Sequence, residues 1–336
     1  MAMAQADRLE VILRKTLSLA VTLALALLAD LPAAEAQQAG RVYRIGVLGT
    51  SDAPSWQAFV EGLRELGWAE GKNILTERRF SEGKQERLPD LATELVRLNV
   101  DVIVTSTTPP TLAAKNATTT IPIVMVAVGD PMGAGLVGSL ARPSGNIPGL
   151  SIMNPALSGK RVEILKEVLP RATRLGVLGN PTNPWTALIV REIEVAARTL
   201  GMQLQHLEVE RPTDFEAAFG AASRRRADAL LVLEDAFNFV HRATIVGLAA
   251  KSRLPAAYGT REYVDAGGLM SYGANGPDLF RRAATYVDKI LKGARPQDLP
   301  VEQPTRFELA INMNAAKALG LVIPQSLLLR ADRVVQ

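Results

Sequence analysis

The sequence contains no cysteine. Structural disulfides, thiolate catalysis, iron–sulfur ligation, zinc–thiolate sites and a lipid-bearing cysteine at a processed N-terminus are therefore excluded. Histidine is nearly as scarce. His206 falls in a strand-like run and His241 at a helix start, neither with a partner at metal-ligand or nucleophile–base spacing. Gly46-Val-Leu-Gly49 lacks the spacing of a dinucleotide fingerprint, and no Gly-x-x-x-x-Gly-Lys run occurs. Excess charge of either sign is small too: the net charge is +4, and the longest like-charged run, Arg224-Arg225-Arg226, reads as a solvated helix face rather than a nucleic-acid groove. No catalytic constellation remains visible, so the sequence predicts no enzyme, no cofactor, no metal and no nucleic-acid partner.

What is present is a duplication. Arg44-Ile-Gly-Val-Leu-Gly49, followed by a polar turn, a Pro and Trp56, has the layout of Arg174-Leu-Gly-Val-Leu-Gly179, followed by a polar turn, a Pro and Trp185. Each reads as a buried strand, a turn and a helix start, and the two lie a domain's length apart. The matches continue in order. Leu66-Gly67-Trp68 answers Leu200-Gly201-Met202 as a helix stop, and Val100-Asp-Val-Ile-Val-Thr105 answers Ala227-Asp-Ala-Leu-Leu-Val232 as an Asp-led apolar strand. Ile121–Val126 then pairs with Leu254–Tyr258, and Gly133–Val137 with Gly267–Met270. Continuous apolar strands alternating with helices predict an α/β protein of two Rossmann-like lobes, each with a parallel sheet covered on both faces. The length of 336 residues suffices for two such cores.

Residues 1–36 read as an export signal: Arg8, Arg14 and Lys15 precede a mostly apolar run from Thr16 to Ala29, and Ala34-Glu35-Ala36 offers a small-x-small cleavage site. The alternative, a membrane anchor, needs a span of about 20 apolar residues, more than this run supplies. The expected lobes are 41–150 with 277–300 and 151–276 with 305–336. Crossings are expected at Leu150–Asn154, Met270–Gly273 and Leu299–Pro304, giving a multi-segment hinge. The tail is predicted to form a strand near Phe307–Ile311 followed by short helices.

Four stretches are more specific. Asp130-Pro-Met-Gly-Ala-Gly135, Leu140-Ala-Arg-Pro-Ser-Gly-Asn146, Arg261 through Gly273, and Leu299-Pro-Val-Glu-Gln-Pro-Thr-Arg-Phe-Glu308 resemble the ABC-transporter substrate-binding family that includes tryptophan- and tyrosine-type binding proteins. The resemblance spans essentially the whole chain beyond the signal. It implies a type I periplasmic binding protein fold and a periplasmic monomer that closes on a small molecule and delivers it to an ABC permease in the inner membrane. A sensor domain with the same fold and a signalling partner is the alternative.

In open α/β sheets, ligands collect at the C-terminal ends of the strands. On the first lobe this selects Ser51, the hydroxyl run Ser106, Thr107 and Thr108 at a Pro-led helix start, and Asp130. The hydroxyl run reads as a carboxylate cradle or as plain helix capping; Asp130 reads as an ammonium partner or as a cap of the Pro131 turn. On the second lobe it selects Asn180, Asn183, Asp235, Asn238, Tyr258 and Tyr272. Asp235 reads as a second ammonium partner or a helix cap, the asparagines as ligand contacts or turn formers, and the tyrosines as pocket lining or core. Trp56 and Trp185 sit at matched places, which favours packing, and Arg261 reads as a carboxylate clamp or a salt bridge near the hinge. The ligand implied is an amino acid or similar small carboxylate, aromatic or branched.

Overall fold

The structure is a computed structural model, and it describes residues 41–143, 145–152, 154–183 and 186–336. The export signal expected at 1–36 and Trp185 lie outside the described residues.

The first lobe begins with β1 (Tyr43–Gly49), α1 (Ser55–Glu65), β2 (Ile74–Phe80), α2 (Leu88–Arg97), β3 (Val102–Ser106), α3 (Thr108–Ala117), β4 (Ile123–Val128) and β5 (Gly149–Ser151). The chain then crosses into α4 (Asn154–Val168), β6 (Arg174–Gly179), α5 (Thr186–Thr199), β7 (Gln203–Glu208), α6 (Asp214–Arg224) and β8 (Ala229–Val232). Next come α7 (Ala236–Val240), α8 (Arg242–Lys251), β9 (Ala256–Tyr258), α9 (Arg261–Asp265) and β10 (Met270–Ala274). It returns with α10 (Gly276–Leu291) and β11 (Val301–Glu302), and ends with β12 (Phe307–Asn312), α11 (Met313–Leu319), α12 (Gln325–Leu328) and β13 (Arg333–Val335).

Two sheets result, ordered β11-β5-β4-β3-β1-β2 and β13-β12-β10-β9-β8-β6-β7. The duplication is thus topological: β5-β4-β3-β1-β2 and β10-β9-β8-β6-β7 run in the same order. Pairing is parallel except between β10 and β12, where Tyr272 faces Leu309 in an antiparallel ladder. The repeated aspartates have one job. Asp101 accepts a hydrogen bond from Arg44 N at 2.7 Å, and Asp228 accepts from Thr173 N and Arg174 N, both at 2.9 Å, so each fixes the start of the neighbouring strand. The repeated Gly67 and Gly201 have φ of +90° and +67°, the left-handed stop that a side chain would strain.

The cores follow the alternation. Val104 and Val126 of the first sheet are covered by Trp56 and Phe59 of α1 and by Phe280, Ala284 and Val287 of α10. Val177 and Leu231 are covered by Ile164 and Leu165 of α4 and by Ile189 and Ile193 of α5. Because α10 is reached only after the second lobe, its apolar stripe completes the first. Met270–Gly273, expected as a crossing, is instead β10 inside the second sheet, and the crossing follows it at once. The hydrogen-bonded pairing of Met270 with Ala257 and Ile311 holds it there.

Candidate ligand-binding cleft

The C-terminal ends of β1, β3 and β4 face those of β8, β9 and β10 across a cavity of about 170 Å³. Ser51, Ser106, Thr107 and Thr108 line one wall; Asn183, Asp235, Glu234, Phe239, Thr260 and Tyr263 line the other. The walls touch where Ser55 Oγ at the start of α1 donates to Glu262 Oε1 of α9 at 3.3 Å.

Thr107 is the most constrained residue on the first wall. Its φ of 68° and ψ of 171° lie in a region that only glycine adopts without strain. Its backbone is clamped there: Thr107 N donates to Val126 O at 2.9 Å, and Thr107 O accepts from Thr111 Oγ1 at 2.7 Å. Thr111 Oγ1 is in turn 2.8 Å from Thr105 Oγ1. Yet the Thr107 hydroxyl is buried and has no hydrogen-bond partner among the described residues. Pro109 and Pro110 carry no N–H, so Thr108 N is the one backbone donor the first turn of α3 can offer. An anion placed here would meet hydroxyls and the positive end of α3 rather than several amides. Among the described residues, no charged side chain of the first lobe lines the cavity.

On the second wall, the expected ammonium partner is committed elsewhere. Asp235 Oδ1 accepts from Phe237 N at 2.8 Å and Asn238 N at 3.3 Å, capping α7, and Oδ2 accepts from Asn183 Nδ2 at 2.7 Å. Asn180 is buried and closes its own turn, with Oδ1 accepting from Thr182 N at 3.0 Å and from Thr182 Oγ1. Asn238 is wholly buried and donates to Leu233 O at 3.1 Å. Neither Asn180 nor Asn238 lines the cavity.

Three further sequence candidates also lie off it. Asp130 Oδ1 accepts from Met132 N and Gly133 N at 3.0 and 3.1 Å, the turn-capping alternative. Tyr258 is 1% exposed and stacks on Tyr263 with ring centroids 4.5 Å apart, so Tyr263 stands between it and the cleft. Burial pushes the Tyr258 hydroxyl far above its ordinary pKa. Tyr272, on β10, is not part of the cavity lining, and its ring lies against Phe307 with centroids 6.2 Å apart.

Residues that sequence reasoning passed over complete the wall. Glu234 and Thr260 lie two residues past the ends of β8 and β9, and the strand-end rule that selected Ser106 applies equally to them. Phe239 lies one helical turn beyond Asp235, with the Arg242 guanidinium 4.8 Å over its ring. Trp56 joins the lining while packing edge-on to Phe280 at 4.8 Å, so packing and lining are one role. Arg261 pairs with Glu308 at 3.4 Å and Asp265 at 3.3 Å at the rim; burial disfavours its charge, but these carboxylates outweigh it and raise its pKa. Among the described residues no cluster of His, Cys, Asp or Glu can hold a metal ion, and no helix is long and apolar enough to cross a membrane.

Two facing α/β lobes around a cleft walled by strand ends define the class: a type I periplasmic binding protein fold. The chain belongs to the ABC transporter substrate binding protein family, whose model matches residues 47–335, and this is a family of substrate-binding transport proteins, not of enzymes. It is 26% identical over 265 residues to a tyrosine-binding protein of Clostridioides difficile, covering 79% of this chain and 76% of that one. A conserved domain protein from Vibrio cholerae superposes with a TM-score of 0.82 at 30% identity, covering 88% of this chain and all of that one. The ABC domain of a Streptococcus pneumonia protein in complex with L-Trp superposes with a TM-score of 0.81 at 28% identity and the same coverage.

Proposed function

We propose that this protein binds an amino acid of the aromatic kind between its lobes and delivers it to an ABC permease in the inner membrane. The observation that carries the reading is Thr107, a strained residue whose buried, unpartnered hydroxyl stands on the cavity wall beside Ser106 and Thr108. Strain of this kind persists where the surrounding structure enforces it, and here it aims a hydroxyl at the space a carboxylate would fill. Phe239, Trp56 and Tyr263 supply the apolar surface an aromatic side chain would meet. A tyrosine-binding relative and a relative solved with L-Trp support the aromatic class.

In this reading the chain is exported after cleavage following Ala36 and acts as a periplasmic monomer. One lobe is 41–150 with 277–300, the other 151–276 with 305–336, hinged at the crossings. Micromolar affinity, about −8 kcal/mol, suffices for such a receptor. The test is calorimetric titration and thermal shift of the chain from Gln37 onward against the L-amino acids and small carboxylates. Binding of L-Trp, L-Tyr or L-Phe, weakened tenfold or more when Thr107 and Thr108 are both changed to Val, is the expected result. Unchanged affinity in that double variant removes the cradle, and binding of none of these compounds removes the function.

A further inference from the structure

The geometry points to Glu234, held from behind by Arg161, as the residue that receives the amino group of the ligand. The inference rests on the amino-acid reading above and assigns a residue that the sequence did not nominate.

Four carboxylates line the second wall, and three are engaged. Asp235 caps α7 and holds Asn183. Glu308 pairs with Arg261 through Oε1 and accepts from Asn275 through Oε2 at 3.0 Å. Glu262 accepts from Ser55 of the facing lobe. Glu234 differs: its Oε1 lies 3.0 Å from Arg161 Nη2, while its Oε2 is buried with no hydrogen-bond partner among the described residues.

The pair is built into the fold. Arg161 of α4 is 1% exposed, and its Nε donates to Tyr272 O at 2.6 Å. Two glycines make the room. A Cβ at Gly259 would fall 2.1 Å from Glu234 Cγ, and a Cβ at Gly273 would fall 1.8 Å from Gly259 O. A buried ion pair is a poor source of stability, since desolvation offsets most of its attraction, and a buried carboxylate oxygen without a donor is a further cost. An ammonium entering the cleft would supply that donor. An ionised carboxylate only accepts, so Glu234 recognises a ligand N–H and repels a second carboxylate. Arg161 is a positioning residue: it fixes one oxygen so that the other is directed to the ligand. The carboxylate of the same ligand then faces the uncharged hydroxyl wall, and a zwitterion is bound in one orientation.

The test crosses ligand pairs with Glu234→Gln. The probes are L-Trp and L-Tyr, their des-amino analogues indole-3-propionate and 3-(4-hydroxyphenyl)propionate, and the decarboxylated amines tryptamine and tyramine. Removing the amino group is expected to weaken binding to the unaltered protein about tenfold to a hundredfold, the range for a hydrogen bond to a charged group. Glu234→Gln should weaken the amino acids by a similar factor and leave the des-amino acids unchanged, a coupling that a merely distorted site would not show. If the variant does not fold, the ligand pairs on the unaltered protein decide. Des-amino acids that bind as tightly as their parents overturn the inference while leaving the carboxylate reading standing. Amines that bind through Glu234 without needing a carboxylate support it and remove the cradle; binding of no probe removes both.

Discussion

Replacing Thr107 once by alanine and once by glycine separates the backbone strain at the cleft from the chemistry of its hydroxyl. At an ordinary position alanine is the more stabilising of the two by about 0.4–1 kcal/mol, because glycine leaves more freedom in the unfolded chain. At φ 68°, ψ 171° the order should invert. A residue with a Cβ in this region carries about 1–3 kcal/mol of strain, which alanine keeps and glycine sheds. Both variants lose the same methyl and hydroxyl, so those contributions cancel in the comparison. Subtracting the entropic disadvantage leaves Thr107→Gly ahead by about 1 kcal/mol, or about 2 °C in melting temperature for a chain of this size. Thermal unfolding without ligand, followed by circular dichroism, measures the difference. Titration of both variants with the best amino acid should show a common loss of about tenfold or more, since neither has the hydroxyl. If Thr107→Ala proves the more stable by the ordinary margin, the conformation described for Thr107 is not the one enforced in the protein.

Other outcomes follow from the same geometry. Asp235→Ala removes the cap of α7 and the partner of Asn183; it should lower stability by about 1–2 kcal/mol in urea titration and leave the preference for amino-bearing ligands intact. Asp130→Ala should leave ligand affinity within twofold, because its carboxylate serves only the Pro131 turn. Gly273→Ala places a methyl 1.8 Å from Gly259 O and should destabilise by about 1–3 kcal/mol, measured by the same titration. Burial beside the stacked rings of Phe215 and Phe237 lowers the pKa of His241 below its ordinary 6.5. The unfolded chain therefore takes up the proton first as pH falls, so this contribution is intact above pH 6.5 and is lost as pH drops from 6.5 through the folded value. His241→Phe should flatten that part of the stability–pH curve.

The duplicated sheet was legible because a strand buried on both faces is written as an unbroken apolar run and a helix stop as a glycine, and both signals recur in order. The location of the cavity was legible for a related reason: hydroxyls and carboxylates after such runs have nowhere to go but the strand ends. Choosing between adjacent residues was not legible. Glu234 and Asp235 are neighbours of one chemical type, and only the cap on α7 and the asparagine at 183 show which is occupied. Tyr258 and Tyr263 stack, and the order of the stack decides which one borders the cavity. Tyr272 and Gly273 alternate across β10, and a one-residue difference in register exchanges their faces. The last strand, β13, is three residues long and lies at an edge, too short to leave a periodic signal.

The chain's three passages between lobes set an order on its synthesis. Val104 and Val126 emerge early, yet Phe280, Ala284 and Val287, which shield them, emerge only after the whole second sheet but for β12 and β13. A fragment ending at residue 150 would have α1 but not α10 over that sheet face, and a fragment beginning at 151 would carry α10 without the sheet it covers. Cut at that point, neither half would keep all of its packing partners, even though each repeats the other's strand order. The repeat persists in the strand order, while the late arrival of α10 makes the first sheet depend on chain that follows the second.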